Sequence, residues 1–299
     1  MNAKSKKLVF FGNERLATGV TTKAPLLRGL LKAGYEVGAI VISQRLDQAS
    51  RQKRTLEIEE VARQNNIPIV SPTNLTEVIA DLAKFEAAAG VLAAYGRIIP
   101  QAILDIFPIG IINIHPSLLP KYRGSSPIEQ AILEAAEKTG VSLMRLVAEM
   151  DAGPVYATAH LSLAGSETKQ GLFDKLDQLG ADLLVENLPA ILSGSLTPQP
   201  QSGNEVTYTP RLSKADGVID WQKPPAQLER EVRTYLGWPK SQAKLFGNDV
   251  IITKVRVAEG RGDGELVMPA GDGWLEIQEL IAPSGRTMSG NDFLRGYQK

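Results

Sequence analysis

The 299-residue sequence predicts an α/β protein: a Rossmann-like, mostly parallel sheet with an appended hairpin, followed by a small C-terminal β-barrel of OB-like kind. Three observations predict it. Over residues 1–115 short apolar runs take turns with amphipathic helical stretches, the alternation that crossover connections and a parallel sheet covered on both faces require. Residues 141–148 and 155–163 then alternate apolar and polar side chains around the turn-rich Glu149-Met150-Asp151-Ala152-Gly153-Pro154, which reads as a hairpin. Closely spaced short strands with glycine-rich turns end the chain, and a small barrel is their natural closure.

The elements follow in order. Strands are expected at 8–11, 37–43, 67–70, 90–94 and 110–115, with helices at 23–32, 56–64, 75–84 and 100–105 between them. A helix at 127–138 precedes the hairpin. Leu172, Leu176, Leu179, Leu183 and Leu188 then recur at helical spacing, with Ser166 or Thr168 available as the cap. Residues 193–207 are poor in apolar side chains and broken by Pro and Gly, as in an extended linker. The chain thus divides into a domain over 1–192 and a second over 208–299. In the second, Leu228, Val232 and Tyr235 mark a short helix, and strands are expected at 242–246, 250–258, 265–268 and 274–280.

Composition narrows the function classes. Hydrophobic residues make up 43% and charged residues 22%, with no cysteine and two histidines. That excludes disordered, collagen-like and disulfide-scaffold classes. No apolar run approaches the roughly 20 residues of a membrane span. The polar, lysine-rich start runs into an apolar stretch too short for a secretory signal, so a soluble cytoplasmic protein is expected. Without cysteine there is no thiolate metal site, nucleophile or disulfide, and chemistry falls to His, Asn, Asp, Glu, Ser or Lys. The 33 basic and 33 acidic residues cancel, but residues 1–54 hold eleven basic side chains against three acidic ones. That asymmetry fits an anionic partner or, as readily, a solvated basic face.

Parallel sheets place ligands at the carboxyl ends of their strands. The first such end, Phe11-Gly12-Asn13-Glu14-Arg15, lacks the G-x-G-x-x-G of a dinucleotide site, and the chain has no P-loop. The fifth, Gly110-Ile111-Ile112-Asn113-Ile114-His115, puts Asn113 and His115 on one face, because side chains i and i+2 of a strand point the same way. An amide and an imidazole together there are costly to bury idle. Hydrogen bonds from both to loop backbone are an even alternative. Asp151 sits in the hairpin turn, where Asp is favoured in any case, yet that turn could swing its carboxylate against the imidazole. Amide, imidazole and carboxylate together would suit acyl transfer without a covalent nucleophile. His160 alternates with Tyr156, Thr158 and Ser162 and belongs to the solvent face. Residues 117–127 form a proline-stiffened loop with an aromatic and two cations, either a connector or a binding loop.

At these residues the sequence resembles the tetrahydrofolate-dependent formyltransferases. Asn113-x-His115, then Ser117-Leu118-Leu119-Pro120-x-Tyr122-Arg123-Gly124, with Met150-Asp151-x-Gly153 downstream, is similar to that superfamily's signature. Two further stretches resemble the branch acting on methionyl-tRNA. One is Ala94-Tyr95-Gly96 with Ile98-Ile99-Pro100; the other is Tyr208-Thr209-Pro210-Arg211-Leu212-Ser213-Lys214 with Ile219-Asp220-Trp221 and Trp238-Pro239. The chain departs from the pattern at Gly12-Asn13-Glu14-Arg15-Leu16-Ala17, where the family usually has a Gly-Thr-Pro-x-Phe-Ala-like turn. The basic loop at 44–54 lacks the usual Gly- and Pro-rich wording, and the last strands look abbreviated.

The resemblance implies transfer of a formyl group from 10-formyltetrahydrofolate, as co-substrate, to the α-amine of methionyl-initiator tRNA. It implies Asn113, His115 and Asp151 as catalytic residues. Ser117, Leu118, Leu119, Pro120, Ala94 and Tyr95 would bind the folate, and Arg45, Arg51, Lys53 and Arg54 the tRNA. No metal is implied, and a monomer is expected. A formyltransferase acting on a sugar-nucleotide amine, or a non-catalytic RNA-binding protein, are the alternatives.

Overall fold

The computed structural model describes residues 6–14, 19–43, 56–262 and 265–298. The chain divides into two compact units: Met1–Pro127, Lys138–Ser162 and Phe173–Pro210 form one, and Ile128–Glu137, Leu163–Leu172 and Arg211–Lys299 the other. The elements run β1 (Lys7–Gly12), α1 (Pro25–Lys32), β2 (Glu36–Val41), α2 (Glu57–Gln64), β3 (Ile69–Val70), α3 (Ile79–Ala83), β4 (Ala89–Ala93), α4 (Gln101–Leu104) and β5 (Ile111–His115). Then come β6 (Arg123–Gly124), α5 (Pro127–Leu133), β7 (Lys138–Arg145), β8 (Val155–Ser162), α6 (Lys169–Ser193) and β9 (Tyr208–Thr209). The chain ends with α7 (Pro225–Tyr235), β10 (Ser241–Leu245), β11 (Asn248–Ala258), β12 (Val267–Ala270), β13 (Gly273–Ile281), β14 (Thr287–Ser289) and α8 (Gly290–Tyr297).

The main sheet has the order β3-β2-β1-β4-β5-β7-β8. It is parallel from β3 to β5, and β7 and β8 add the antiparallel hairpin that the alternating pattern predicts. Leu8, Val9 and Phe11 of β1 are fully buried, as a central strand covered on both faces requires. α1 starts on Pro25, whose fixed φ suits a first helical turn, and buries Leu26, Leu27 and Leu30. Val9, Phe11, Val41, Ile103, Phe107 and Ile111 share one core beneath the sheet. On α6, a Cβ at Gly180 would lie 2.7 Å from Ile114 Cγ2, so glycine lets the helix approach β5. The order reverses between β1 and β4, which opens a crevice at their carboxyl ends.

Two expected elements are cut differently. The helix expected at 127–138 stops at Leu133, and β7 begins at Lys138. Ala136 N–H bonds the Ala131 carbonyl and Ala135 N–H that of Ile132, with Ala135 at φ 51. This is a Schellman ending with alanine where glycine normally announces it, so the sequence carries no stop signal. The expected 75–84 helix is a 3-10 turn at Leu75–Val78, capped by Asn74, leading into α3.

The C-terminal region is a curled five-stranded antiparallel sheet, OB-like, in the order β10-β11-β13-β12 with β14 on β13. β11 pairs with β10 and with β13, and its register shifts between Ile252 and Val255; such bulges bend a strand. Leu228 and Val232 of α7 and Phe293 of α8 close its core against Leu275, Ile277 and Leu280. β14 and α8 are additions to the predicted elements. Ser289 caps α8 by accepting from Asp292 N–H, a Ser-x-x-Asp signal visible in the sequence. Among the described residues no helix is long and apolar enough to cross a membrane.

Candidate active site

β5 carries Asn113 and His115 to the carboxyl edge of the sheet, held in register by Leu92 of β4 on one side and by Met144 and Ser142 of β7 on the other. Both side chains are buried, 7% and 4% exposed. The loop after β5 folds back over them. His115 Nε2 lies 2.9 Å from the Tyr122 carbonyl, which can only accept, so Nε2 carries a hydrogen and the ring's orientation is fixed. Nδ1 is thereby turned to Asp151, whose Oδ1 lies 3.6 Å away. That is longer than a hydrogen bond. Asp151 Oδ2 accepts the Gly124 N–H at 2.8 Å, and the carboxylate is mostly shielded from solvent. Among the described residues the Asn113 carboxamide has no hydrogen-bond partner, so its donor N–H groups stand available.

Three non-glycine residues around this point have left-handed backbone: Ala94 at φ 55, Tyr122 at φ 60 and Asp151 at φ 47. Such conformations are disfavoured for L-residues and persist where the surroundings over-determine them. Gly153 shows the tightness of the Asp151 turn, since a Cβ there would lie 1.8 Å from the Arg145 carbonyl oxygen.

The residues expected to bind folate fall into two groups. Ser117 is fully buried and spends its hydroxyl on the Lys121 carbonyl at 2.6 Å. Ser142 Oγ donates to the Ser117 carbonyl and accepts from Leu119 N–H, at 2.7 and 3.0 Å, so residues 117–120 form a braced wall behind His115. Ala94 and Tyr95 lie just past β4. The Tyr95 ring turns into the core against Phe11; burial pushes its hydroxyl up to about 12, and its carbonyl faces the sheet's edge. There Asn13 Nδ2 donates to the Ala94 carbonyl and Asn13 accepts from Ser43 N–H, at 3.1 and 2.9 Å, while Ser43 Oγ donates to the Tyr95 carbonyl at 2.8 Å. Asn13 thus ties the ends of β1, β2 and β4 together at the position where the sequence departs from the usual turn. Arg45, Arg51, Lys53 and Arg54 lie outside the described residues.

An amide donor, an imidazole with one fixed tautomer and a shielded carboxylate converge at the edge of an α/β sheet, and they can stabilise an oxyanion and move protons without a covalent nucleophile. This defines a class of group-transfer enzyme acting on an acyl carbon. Residues 8–188 match the family model "Formyl transferase" and residues 211–298 "Formyl transferase, C-terminal domain". A methionyl-tRNA formyltransferase of Chloroflexus aurantiacus is 36% identical, covering 97% of this chain and 96% of its own, and one of Dechloromonas aromatica is 34% identical over the same shares. HypX from Aquifex aeolicus in complex with tetrahydrofolic acid has the same fold, with TM-score 0.68 at 18% identity over 99% of this chain; the chain spans 48% of HypX. The chain belongs to the formyl transferase family and, within it, to the methionyl-tRNA formyltransferases.

The sequence reading missed the backbone groups that orient the site, the Tyr122 carbonyl and the Gly124 N–H, which no side-chain pattern reveals. It also missed Gln201, which contacts the Asp151 turn.

Proposed function

We propose that the protein transfers a formyl group from 10-formyltetrahydrofolate to the α-amine of methionyl-initiator tRNA. The observation that carries this is the convergence of His115 Nδ1 and Asp151 Oδ1 beside Asn113, in a chain whose relatives of that name match nearly end to end. The amine attacks the formyl carbon, and a C–N bond forms as the carbonyl oxygen becomes an oxyanion. Asn113 Nδ2–H and a protonated His115 Nδ1–H donate to it, with the Asp151 carboxylate facing the imidazolium. The amine's surplus proton passes through Asp151 and water to N10 as the C–N10 bond breaks, leaving tetrahydrofolate and formyl-methionyl-tRNA. The charge that develops meets side-chain donors, so the step calls on no metal.

Residues 1–192 would perform this chemistry, 193–207 would connect, and 208–299 would grip the tRNA together with Arg45, Arg51, Lys53 and Arg54. Ser117, Leu118, Leu119, Pro120, Ala94 and Tyr95 would line the folate side, chiefly through backbone. The enzyme would work in the cytoplasm as a monomer.

The test offers one formyl donor with two acceptors, charged initiator tRNA and an amino sugar nucleotide, to the full chain. Formylation of the tRNA is expected; preference for the sugar would replace this reading. In the same assay Asn113→Ala should lower kcat by about 10²–10³, and His115→Ala and Asp151→Ala by about 10²–10⁴, each with an unchanged circular-dichroism spectrum. Near-normal turnover in His115→Ala would overturn the mechanism.

A further inference from the structure

We infer that Gln201 is a positioning residue for Asp151, and that residues 199–209 brace the active site; this rests on the formyl-transfer reading above. The sequence presents these residues as the tail of a linker. In the structure, Gln199 and Val155 exchange both backbone hydrogen bonds at 2.8 Å, so the segment enters alongside the start of β8. Gln201 then reaches the turn that carries Asp151. Its Nε2 donates to the carbonyls of Asp151 and Gly153, both at 2.7 Å. Its Oε1 accepts from Arg123 Nε at 3.1 Å and Nη2 at 2.8 Å. All four hydrogen-bonding positions of the carboxamide are used, and its orientation is unambiguous, since the two carbonyls only accept and the guanidinium only donates.

The other end of this link is fixed equally well. Arg123 is buried, 7% exposed, with its guanidinium 5.9 Å from the Tyr208 ring centre. Its backbone N–H bonds the Thr207 carbonyl at 2.9 Å, and Tyr122 N–H bonds Thr207 Oγ1 at 2.8 Å. The next residue, Gly124, donates its N–H to the Asp151 carboxylate, while Tyr122 supplies the carbonyl that orients His115. Gln201 and Arg123 therefore connect the loop that orients the imidazole to the turn that presents the carboxylate. Asp151 and Tyr122, both left-handed, are the residues so held. Loss of the Gln201 donors would release the 151 and 153 carbonyls and let the carboxylate drift from the 3.6 Å approach to His115 Nδ1.

The test uses the full chain and two variants. Gln201→Met keeps the length and removes every hydrogen bond; Gln201→Glu keeps an acceptor for Arg123 but offers no donor to the carbonyls. Because a misplacement of about 1 Å can cost about 10²-fold in rate, kcat is expected to fall tenfold to hundredfold in both, with KM for each substrate nearly unchanged. A group acting through another gives non-additive losses, so Asp151→Asn combined with Gln201→Met should turn over no more slowly than Asp151→Asn alone. Unaltered kcat in Gln201→Met, or losses that multiply in the double variant, would overturn the inference. Crystal structures of both single variants give a readout independent of activity: displacement of the Asp151 carboxylate supports the inference, and an unmoved carboxylate refutes it. A wild-type chain inert toward methionyl-tRNA counts against the proposed function alone, and the crystallographic comparison then still decides the role of Gln201.

Discussion

Asp177 is an ionisable group outside the reacting centre whose burial changes its proton affinity. It lies on α6, and burial pushes its carboxyl up to about 6, against an accepted hydrogen bond from the Thr22 hydroxyl and with the Asp174 charge adding to the rise. The sign follows from proton binding. Between about pH 4 and about pH 6 the folded protein holds a proton that the unfolded chain has released, so stability falls as pH rises through that window. Above about 6 the carboxylate is ionised in both states and the full penalty is present, on the order of 3 kcal/mol for a shift of about two units. Asp177→Asn keeps an acceptor for Thr22 without a charge. It should stabilise the protein by about 1–3 kcal/mol at pH 7 and by nothing near pH 4, which urea denaturation at four pH values would show. An equal gain at both pH values would mean that the effect is packing and not ionisation. Asn113 and His115 were legible because a period of two on an apolar strand exposes any polar intrusion. The turn at 149–154 was legible from Gly and Pro, which made Asp151 a candidate. Asp177 was not, since an aspartate on an amphipathic helix reads as solvated until its neighbours are known.

Elements that the sequence left featureless turn out to hold the site in shape. β6 and β9, two residues each, pair in parallel, and neither has the length that periodicity needs to register. The β7–β8 hairpin was predicted, yet the reason for glycine inside β7 was not. A Cβ at Gly140 would lie 2.1 Å from the Ala159 carbonyl oxygen and 2.5 Å from Leu118 Cδ2. That position joins the hairpin to the wall behind His115. Gly140→Ala should destabilise the fold by about 1–3 kcal/mol through overpacking and lower turnover as well, because Leu118 must give way. Denaturant midpoint and kcat measured on one preparation would check both; a midpoint equal to wild type would show that the strands yield without cost.

At the scale of the whole molecule, the compact unit containing Arg211–Lys299 also draws in Ile128–Glu137 and Leu163–Leu172, segments that the chain lays down well before residue 193. They bring buried apolar side chains such as Ile128, Ile132 and Leu172, and polar contacts as well. Lys169, 2% exposed, donates Nζ to the Trp238 carbonyl at 2.7 Å, and burial holds its ammonium below the usual lysine range despite the attraction of Glu129. Arg230 Nε bonds the Leu133 carbonyl at 3.1 Å, and Arg233 reaches the Gly165 carbonyl at 3.0 Å. Hydrophobic patterning could not announce this, because a lysine at the first turn of α6 has the appearance of an exposed charge. The three tryptophans, Trp221, Trp238 and Trp274, all belong to this unit, so their fluorescence reports its unfolding separately from circular dichroism of the whole chain. Lys169→Met deprives a buried carbonyl of its donor and Glu129 of a facing cation, a loss of about 1–3 kcal/mol from the unsatisfied carbonyl by itself. The tryptophan transition is therefore expected to move to lower urea, although the substituted residue lies some forty positions before Arg211 in sequence. If it stayed in place, residues 211–299 would be stable without the earlier segments, and the unit would be a self-sufficient module joined by a tether.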